Sequence, residues 1–339
     1  MISDYLTNRK QYVQIDDKRS SVKDIIFGVP QGSILGPILF NLYVSDMALH
    51  TESTCLQYAD DTSLYRHCKV TDLQDCVARV EADLKSVSSW SQNNNLIFNQ
   101  TKTKTILFSS SQMKSWHNLS RPDLYSVGVR NKPLERTNIV KVLGVTLNEN
   151  LTWHDHFESV IKSSYATLRS LRAIKRTAPD HLKKSLVEML VLSKLDYGNA
   201  LFYNAPNYLL RRLQTVQNAA AGYVTGKFAK TKDVIGLKWL PVRERIDHNI
   251  AKMAFKSLHN EKWPDYLKTN FAQPNRSLRH WEAKEYTIAT SYVPNTFKDD
   301  ASKVFNDLPL ACRASKSHTE LVRLSKAHLF DRVVAKSLV

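Results

Sequence analysis

Apolar and polar positions alternate differently in the two parts of the chain. Up to about residue 150 short apolar runs alternate with turn residues; from about 153 the apolar spacing is helical over long stretches. Residues 22–29 (VKDIIFGV) predict a short strand. Pro30 and Gly32 predict a turn, and residues 33–47 (SILGPILFNLYVSDM) a helix. Ile34, Leu35, Ile38, Leu39 and Leu42 cover most of that helix's circumference, so it is expected to be buried among other elements. Pro37 falls near its first turn, where proline is tolerated. Residues 55–66 (CLQYADDTSLYR) carry two strand-like runs around Asp60-Asp61, the pattern of a hairpin. Leu73, Val77, Val80, Leu84 and Val87 recur at three- and four-residue steps and predict an amphipathic helix over 71–92. Short strands are expected at 96–98, 105–108, 125–129 and 140–147.

The second part predicts helices over 153–177, 180–196, 207–225, 242–260 and 317–336, with polar, proline-bearing loops around 264–274 and 292–295. The expected fold class is α+β: an antiparallel sheet with packed helices, then an all-helical part and a helical C-terminal region. Soft boundaries near 150 and 235 give the divisions 1–150, 151–235 and 236–339.

Composition narrows the function classes. Hydrophobic residues make up 42% and charged residues 24% of 339, a mixture that buries a core and excludes global disorder. Lys plus Arg is 48 against 32 for Asp plus Glu, a net charge of +16, which favours a polyanionic partner. The first 150 residues hold 17 basic and 15 acidic residues, and the remainder holds 31 and 17. The electrostatic half is therefore the second. Cys55, Cys68, Cys76 and Cys312 form no C-x-x-C pair, so no zinc knuckle or thioredoxin-type site is indicated and the thiols are expected to be reduced. Residues 1–11 lack the apolar core of a signal peptide, and no apolar run is long enough to span a membrane. The expected location is intracellular, nuclear or cytoplasmic, with no membrane partner.

Three patterns could carry chemistry. Adjacent carboxylates at Asp60-Asp61 repel each other. They suit a solvated turn, where aspartate is common, or a divalent-metal site, where the ion relieves the repulsion. The run Gly28-Val-Pro-Gln-Gly-Ser-Ile-Leu-Gly-Pro37 holds three of the chain's 9 glycines. It suits a strand-to-helix turn or a backbone that a flat ligand, such as a base pair, approaches closely, with Gln31 supplying a contact. Finally, Phe157, Ile161, Leu168 and Leu171 form an apolar helical stripe, and Lys162, Arg169, Arg172 and Arg176 a basic one beside it. The basic stripe suits a solvated face or a surface that follows nucleic-acid phosphates.

Together the motifs point further. Gly-Val-Pro-Gln-Gly-Ser, then an apolar helix, then Tyr58-Ala-Asp-Asp61 closely resembles the reverse transcriptases of non-long-terminal-repeat (LINE-type) retrotransposons. The resemblance continues in order. Tyr5-Leu-Thr-Asn-Arg-Lys-Gln-Tyr-Val13 is similar to the segment leading into the glycine motif, and Leu96-Ile-Phe-Asn-Gln-Thr-Lys102-Thr103 to the fourth palm motif. Val142-Leu-Gly-Val-Thr-Leu147, with Leu151-Thr-Trp153, resembles the hairpin that grips the primer end. Leu213-Gln-Thr-Val-Gln-Asn-Ala-Ala220 is similar to a segment typical of these elements, although the family often has Arg where Ala221 or Gly222 stands.

The resemblance implies a partial polymerase palm followed by a helical thumb. It implies RNA-directed DNA polymerase activity on an RNA template, a DNA primer and deoxynucleoside triphosphates, with Mg²⁺ or Mn²⁺. By the same resemblance Asp60 and Asp61 are the metal ligands of the hairpin, and Tyr58 lies near the primer or nucleotide. Gln31 and Gly32 face the template–nucleotide pair, and Lys102 serves the pyrophosphate leaving group. Leu143 and Gly144 form the primer grip, and Lys162, Arg169, Arg172 and Arg176 follow the duplex. The family's other catalytic aspartate lies on a strand upstream of the Tyr5–Val13 segment. Here Asp4, Asp16, Asp17 and Asp24 are the only acids before the glycine motif, and none has the family's apolar setting. The resemblance therefore implies a fragment truncated at the N-terminus, binding metal weakly and inactive in synthesis. The alternative is a non-catalytic nucleic-acid-binding remnant.

Overall fold

A computed structural model describes residues 2–121, 124–130, 132–264, 267, 288 and 296–338. The loops expected at 264–274 and 292–295 fall almost wholly outside the described residues. The chain forms two compact units, Met1–Asn138 and Ile139–Val339.

In the first unit the spine is the helix Leu73–Asn93, close to the predicted span. One flank of it packs Val87 and Trp90 on Val44 and Met47; the other packs Leu84 on Val127, Val129 and Leu134, and Leu64 touches both clusters. The helix closes where Asn95 takes a left-handed φ of +52°. There the Leu96 N–H bonds to the Ser91 carbonyl at 2.8 Å and the Ser91 hydroxyl to the Leu96 carbonyl at 2.6 Å. That wrap consumes the backbone groups a strand at 96–98 needs, and no strand forms there.

The expected single sheet is not present either. The described strands of this unit form separate two-stranded pairs, Arg9–Gln11 with Lys23–Ile25, Gln14–Ile15 with Lys18–Arg19, Thr54–Tyr58 with Asp61–Tyr65, and Gly128–Val129 with Lys132–Pro133. Lys104–Thr105 pairs parallel with Glu135–Arg136. The helix after the glycine motif, Leu35–Val44, also departs from expectation. Ile34, Ile38 and Leu42 are 89%, 60% and 71% exposed, and only Gly36 and Val44 of the helix are buried. Its apolar residues run all round, but the buried apolar clusters of this unit take in only Phe40 and Val44 of the helix.

The second unit opens with the hairpin Ile139–Val142 and Val145–Asn148, so the hairpin groups with the helices rather than with the residues before it. The helices His154–Leu171, Asp180–Val187, Asn207–Thr225, Val242–His259, Phe297–Asp307 and His318–Leu338 follow. Pro179, Pro206 and Pro241 each precede a helix with ψ between 138° and 163°, since proline fixes φ and has no N–H to lose at a helix start. The predicted 180–196 helix carries a π-helical turn at Glu188–Leu192 before resuming at Ser193–Asp196. One continuous core joins these elements, with Phe157, Val187, Leu209, Ile246, Phe305 and Leu321 at or below 1% exposure. It crosses residue 235, where the sequence suggested a soft boundary.

Candidate functional site

The Asp60–Asp61 pair sits where the pattern put it. Thr54–Tyr58 and Asp61–Tyr65 pair antiparallel from Thr54↔Tyr65 to Tyr58↔Asp61, leaving Ala59 and Asp60 as a two-residue turn. Ala59 holds φ at +52°, a costly conformation for a residue with a Cβ. Tyr58, Asp60 and Asp61 are exposed at this tip. The base of the hairpin is held by a residue that sequence reasoning missed. Asp83, 5% exposed on the spine helix, accepts the Glu52 and Ser53 N–H groups at 2.8 and 2.9 Å. Burial alone would raise its pKa, but these hydrogen bonds and the Arg66 charge outweigh burial and hold the carboxyl below its ordinary value. Gln57 adds a side-chain bond to the Val44 carbonyl at 3.2 Å.

The glycine loop is built around Ser33. Its hydroxyl donates to the Pro30 carbonyl at 2.8 Å and accepts from the Gly36 N–H at 3.0 Å and from the Tyr5 hydroxyl. Arg9 reaches the Gly28 carbonyl at 2.5 Å. A Cβ on Gly36 would lie 2.8 Å from the Pro30 carbonyl oxygen, so glycine is required for the loop to fold back there. Gln31 and Gly32 are left exposed at the apex, with Gly32 at φ +77°. The segment Tyr5–Arg9 is thus a support for the loop, legible only as part of the motif.

Lys102 lies in a turn organised by Asn99, whose side chain accepts the Lys102 N–H at 3.1 Å. Its neighbour Lys104 pairs with Glu135 at 3.0 Å, whereas the Lys102 side chain has no partner among the described residues. No hydrogen bond or ion pair among the described residues links the Asp60–Asp61 tip, the Gln31–Gly32 apex and Lys102. No third metal-ligating side chain joins the carboxylate pair among the described residues.

In the second unit, Leu143 and Gly144 form the hairpin turn with φ of +46° and +83°. Tyr197, missed by sequence reasoning, donates its hydroxyl to the Leu143 carbonyl at 2.5 Å. A Cβ on Gly144 would stand 3.2 Å from the Tyr197 ring. Thr146 N–H donates to His156 Nδ1 at 3.2 Å and Asn148 Nδ2 to Asp155 at 2.7 Å, which fastens the hairpin to the next helix. Phe157, Ile161, Leu168 and Leu171 bury the predicted apolar stripe, and Lys162, Arg169, Arg172 and Arg176 are exposed. The α-helix ends at Leu171 and a 3-10 turn covers Arg172–Ile174, so Arg176 lies beyond the regular helix.

The Leu213–Ala220 segment has a structural task. Gln217, fully buried, donates Nε2 to the Leu240 carbonyl at 2.9 Å, and Gln214 Oε1 accepts the Val242 N–H at 2.9 Å. The two glutamines clamp the start of the next helix. Ala221 is buried and a Cβ on Gly222 would meet the Lys227 carbonyl at 2.8 Å, which leaves no space for the family's arginine.

The hairpin with its carboxylate tip and the glycine loop before it both lie in the part of the chain that matches a known family. Residues 1–147 match the family described as reverse transcriptase (RNA-dependent DNA polymerase). Among similar proteins is the "RNA-directed DNA polymerase from mobile element jockey" of Drosophila melanogaster, 25% identical over 247 residues, 69% of this chain and 26% of that protein. Another is the "Probable RNA-directed DNA polymerase from transposon X-element" of the same organism, 26% identical over 67% of this chain and 25% of that protein. A third, from transposon BS, is 24% identical over 66% of this chain and 25% of that protein. The chain thus spans about a quarter of the length of these relatives of mobile-element origin. No helix among the described residues is long and apolar enough to cross a membrane.

Proposed function

We propose that this chain supplies the metal-ligating hairpin and the template–primer-holding surfaces of an RNA-directed DNA polymerase from a non-long-terminal-repeat retrotransposon. The observation that carries the reading is the exposed Asp60–Asp61 pair at a hairpin tip, inside residues that match the reverse transcriptase family. In this reading residues 1–150 form the palm portion, 151–235 the thumb and 236–339 a basic helical extension.

The reaction joins a primer 3′-hydroxyl to the α-phosphate of a deoxynucleoside triphosphate and releases pyrophosphate. Carboxylate oxygens suit Mg²⁺ or Mn²⁺, and one or two suffice where substrate phosphates complete the shell, so the pair fits such an ion. A divalent ion held by Asp60 and Asp61 would supply charge neutralisation at the reacting phosphate. The chain's own groups position the substrates. Gln31 and Gly32 present an open backbone to the template–nucleotide pair. Tyr58 borders the primer end, and in the second unit Leu143 and Gly144, in a turn that Tyr197 stiffens, are residues for gripping a primer. Lys102, with its ammonium free of carboxylates, faces the leaving pyrophosphate. Lys162, Arg169, Arg172 and Arg176 meet duplex phosphates.

A second reading, binding without synthesis, is favoured by the lack of a third acidic ligand beside the pair among the described residues. Both readings require the chain to bind a DNA primer annealed to an RNA template. Four phosphate contacts imply that log affinity falls with log salt at a slope of roughly −3 to −4. Primer extension with Mg²⁺ separates the readings, and the chain alone is expected to extend at background. Extension abolished by Asp60→Asn would show the pair sufficient for synthesis; no binding at low salt would overturn both readings.

A further inference from the structure

Several cations of the helical unit have a carboxylate at hand. Arg212 meets Glu158 at 2.6 Å, Lys227 meets Asp233 at 2.8 Å, and Lys303 meets Asp299 at 2.7 Å. Arg332 bridges Asp247 and Asp307 at 3.0 and 2.9 Å. One group of cations is instead crowded together on two packed helices. Arg245, His248, Lys252, Lys256 and His259 recur at three- and four-residue steps along Val242–His259, which places them in one stripe. The helix His318–Leu338 packs against this one and brings His318 and Lys326 to it. His248 Nδ1 lies 3.1 Å from the Ser325 hydroxyl, and the Phe255 ring centre is 4.3 Å from that of His259 and 6.4 Å from that of His318.

Arg245 has Asp196 on its Nε at 2.7 Å. Among the described residues no carboxylate pairs with Lys252, Lys256 or Lys326. These cations act on one another. Burial first, then the charges of Lys252, Lys326, Arg245 and His318, push His248 down to about 4. Burial lowers Lys252, with Arg245 and Lys256 adding to it and Asp196 opposing. His318 is lowered by burial and then by Lys256 and Lys252. Such crowding disfavours the charged forms of these groups, with Asp196 offsetting it only at the Arg245 end, and an anion laid along the stripe relieves it.

The stripe runs from Arg245 to His259, a length of about 21 Å at 1.5 Å per residue, too long for a single phosphate and suited to a linear polyanion. Its contributing groups are chiefly ammonium point charges rather than the forked guanidinium or amide groups that read base edges. We propose that Lys252, Lys256 and Lys326, with His318 beside them, form a second contact for the phosphodiester backbone of a nucleic-acid strand, independent of base sequence. It is distinct from the stripe on His154–Leu171, and it rests on the reading that this chain binds nucleic acid.

The test compares the full chain with a variant carrying Lys252→Gln, Lys256→Gln and Lys326→Gln, using short single-stranded oligo(U) over a series of salt concentrations. Three lost contacts should reduce the magnitude of the log affinity–log salt slope by about 2. The melting temperature of the free variant should be unchanged or higher, because repulsion is removed. If the triple variant fails to fold, the exposed Lys326→Gln change alone should reduce the slope by about 0.7. An unchanged slope, while substitution of Lys162, Arg169 and Arg172 still weakens binding, overturns this site and leaves the proposed function standing. An unmodified chain that binds no oligo(U) and no template–primer at low salt overturns the proposed function itself.

Discussion

Acid should loosen the helical unit before it reaches the carboxylate range, and His248 is the main reason. Its ordinary pKa of 6.5 falls to about 4 in the folded chain. The groups facing it are Arg245 and Lys252 on its own helix and His318, Ser325 and Lys326 on the helix packed against it. Between those two pH values the unfolded chain holds a proton at this site and the folded chain does not. Stability therefore rises with pH across that window; it is fully present above about 6.5 and is lost as pH falls toward about 4. At 1.36 kcal/mol per unit, a shift of this size is worth on the order of 3 kcal/mol, of which roughly 2 kcal/mol is lost by about pH 5. Asp247, Asp300 and Glu244, held above their ordinary values first by burial, act in the opposite sense, so the comparison has to be with a variant. His248→Gln keeps a polar group toward Ser325 and removes the titration. Urea unfolding read by pulsed hydrogen exchange across 242–259 gives the stability at each pH. The native chain should lose about 2 kcal/mol more than His248→Gln between about pH 7 and pH 5. Equal losses in both proteins would refute the reasoning, since the titrating group would then lie elsewhere.

Other consequences follow from the same geometry. Gly144→Ala puts a Cβ at φ +83° and 3.2 Å from the Tyr197 ring, and should lower the urea midpoint by the equivalent of about 1–2 kcal/mol or more; unchanged stability would mean that the turn relaxes freely. Asp83→Asn removes a charged acceptor from two backbone N–H groups and should cost about 1.5–3 kcal/mol at neutral pH, read by thermal unfolding of the first unit. Because Asp83 titrates below its ordinary value, that difference is present at neutral pH and disappears as pH falls through its folded pKa. Hydrogen exchange should be faster over 54–65, a two-stranded pair backed by small apolar clusters, than over 154–171 and 207–225 in the continuous core. Equal protection in a monomeric sample would show that the pair gains a partner along its edge.

Much of this was legible from periodicity alone. The helices at 73–93, 207–225 and 242–259 needed only apolar spacing and, for two of them, a preceding proline. The Asp60–Asp61 hairpin was legible because a two-residue reversal between apolar runs is a local event, whereas 140–147 reads as one strand and is in fact two, reversed at Leu143–Gly144, a turn that only the family resemblance suggested. Phe297–Asp307 was legible but missed: Thr296 caps it by accepting the Asp299 N–H, a signal written three residues apart. Burial was harder to read. Leu35–Val44 has the composition of an enclosed helix, yet composition says what a face can bury and not whether a partner is present. Asp83 and Tyr197 were invisible for a related reason. Their tasks are set by backbone groups 31 and 54 residues away, and no spacing rule connects them. Gln214 and Gln217, read only as part of a family-like segment, also clamp the start of the next helix.

If the proposed function is right, the Asp60–Asp61 tip holds the divalent ion of a template–primer complex. The most direct measurement replaces Mg²⁺ with Fe²⁺ and adds ascorbate, in the presence of template–primer and a deoxynucleoside triphosphate. Hydroxyl radicals formed at the bound iron cut the nearest backbone. Cleavage is expected at the 58–62 tip, suppressed by excess Mg²⁺ and lost in Asp60→Asn. Cleavage confined to other segments, or cleavage at the tip that persists unchanged in Asp60→Asn and Asp61→Asn, would contradict it.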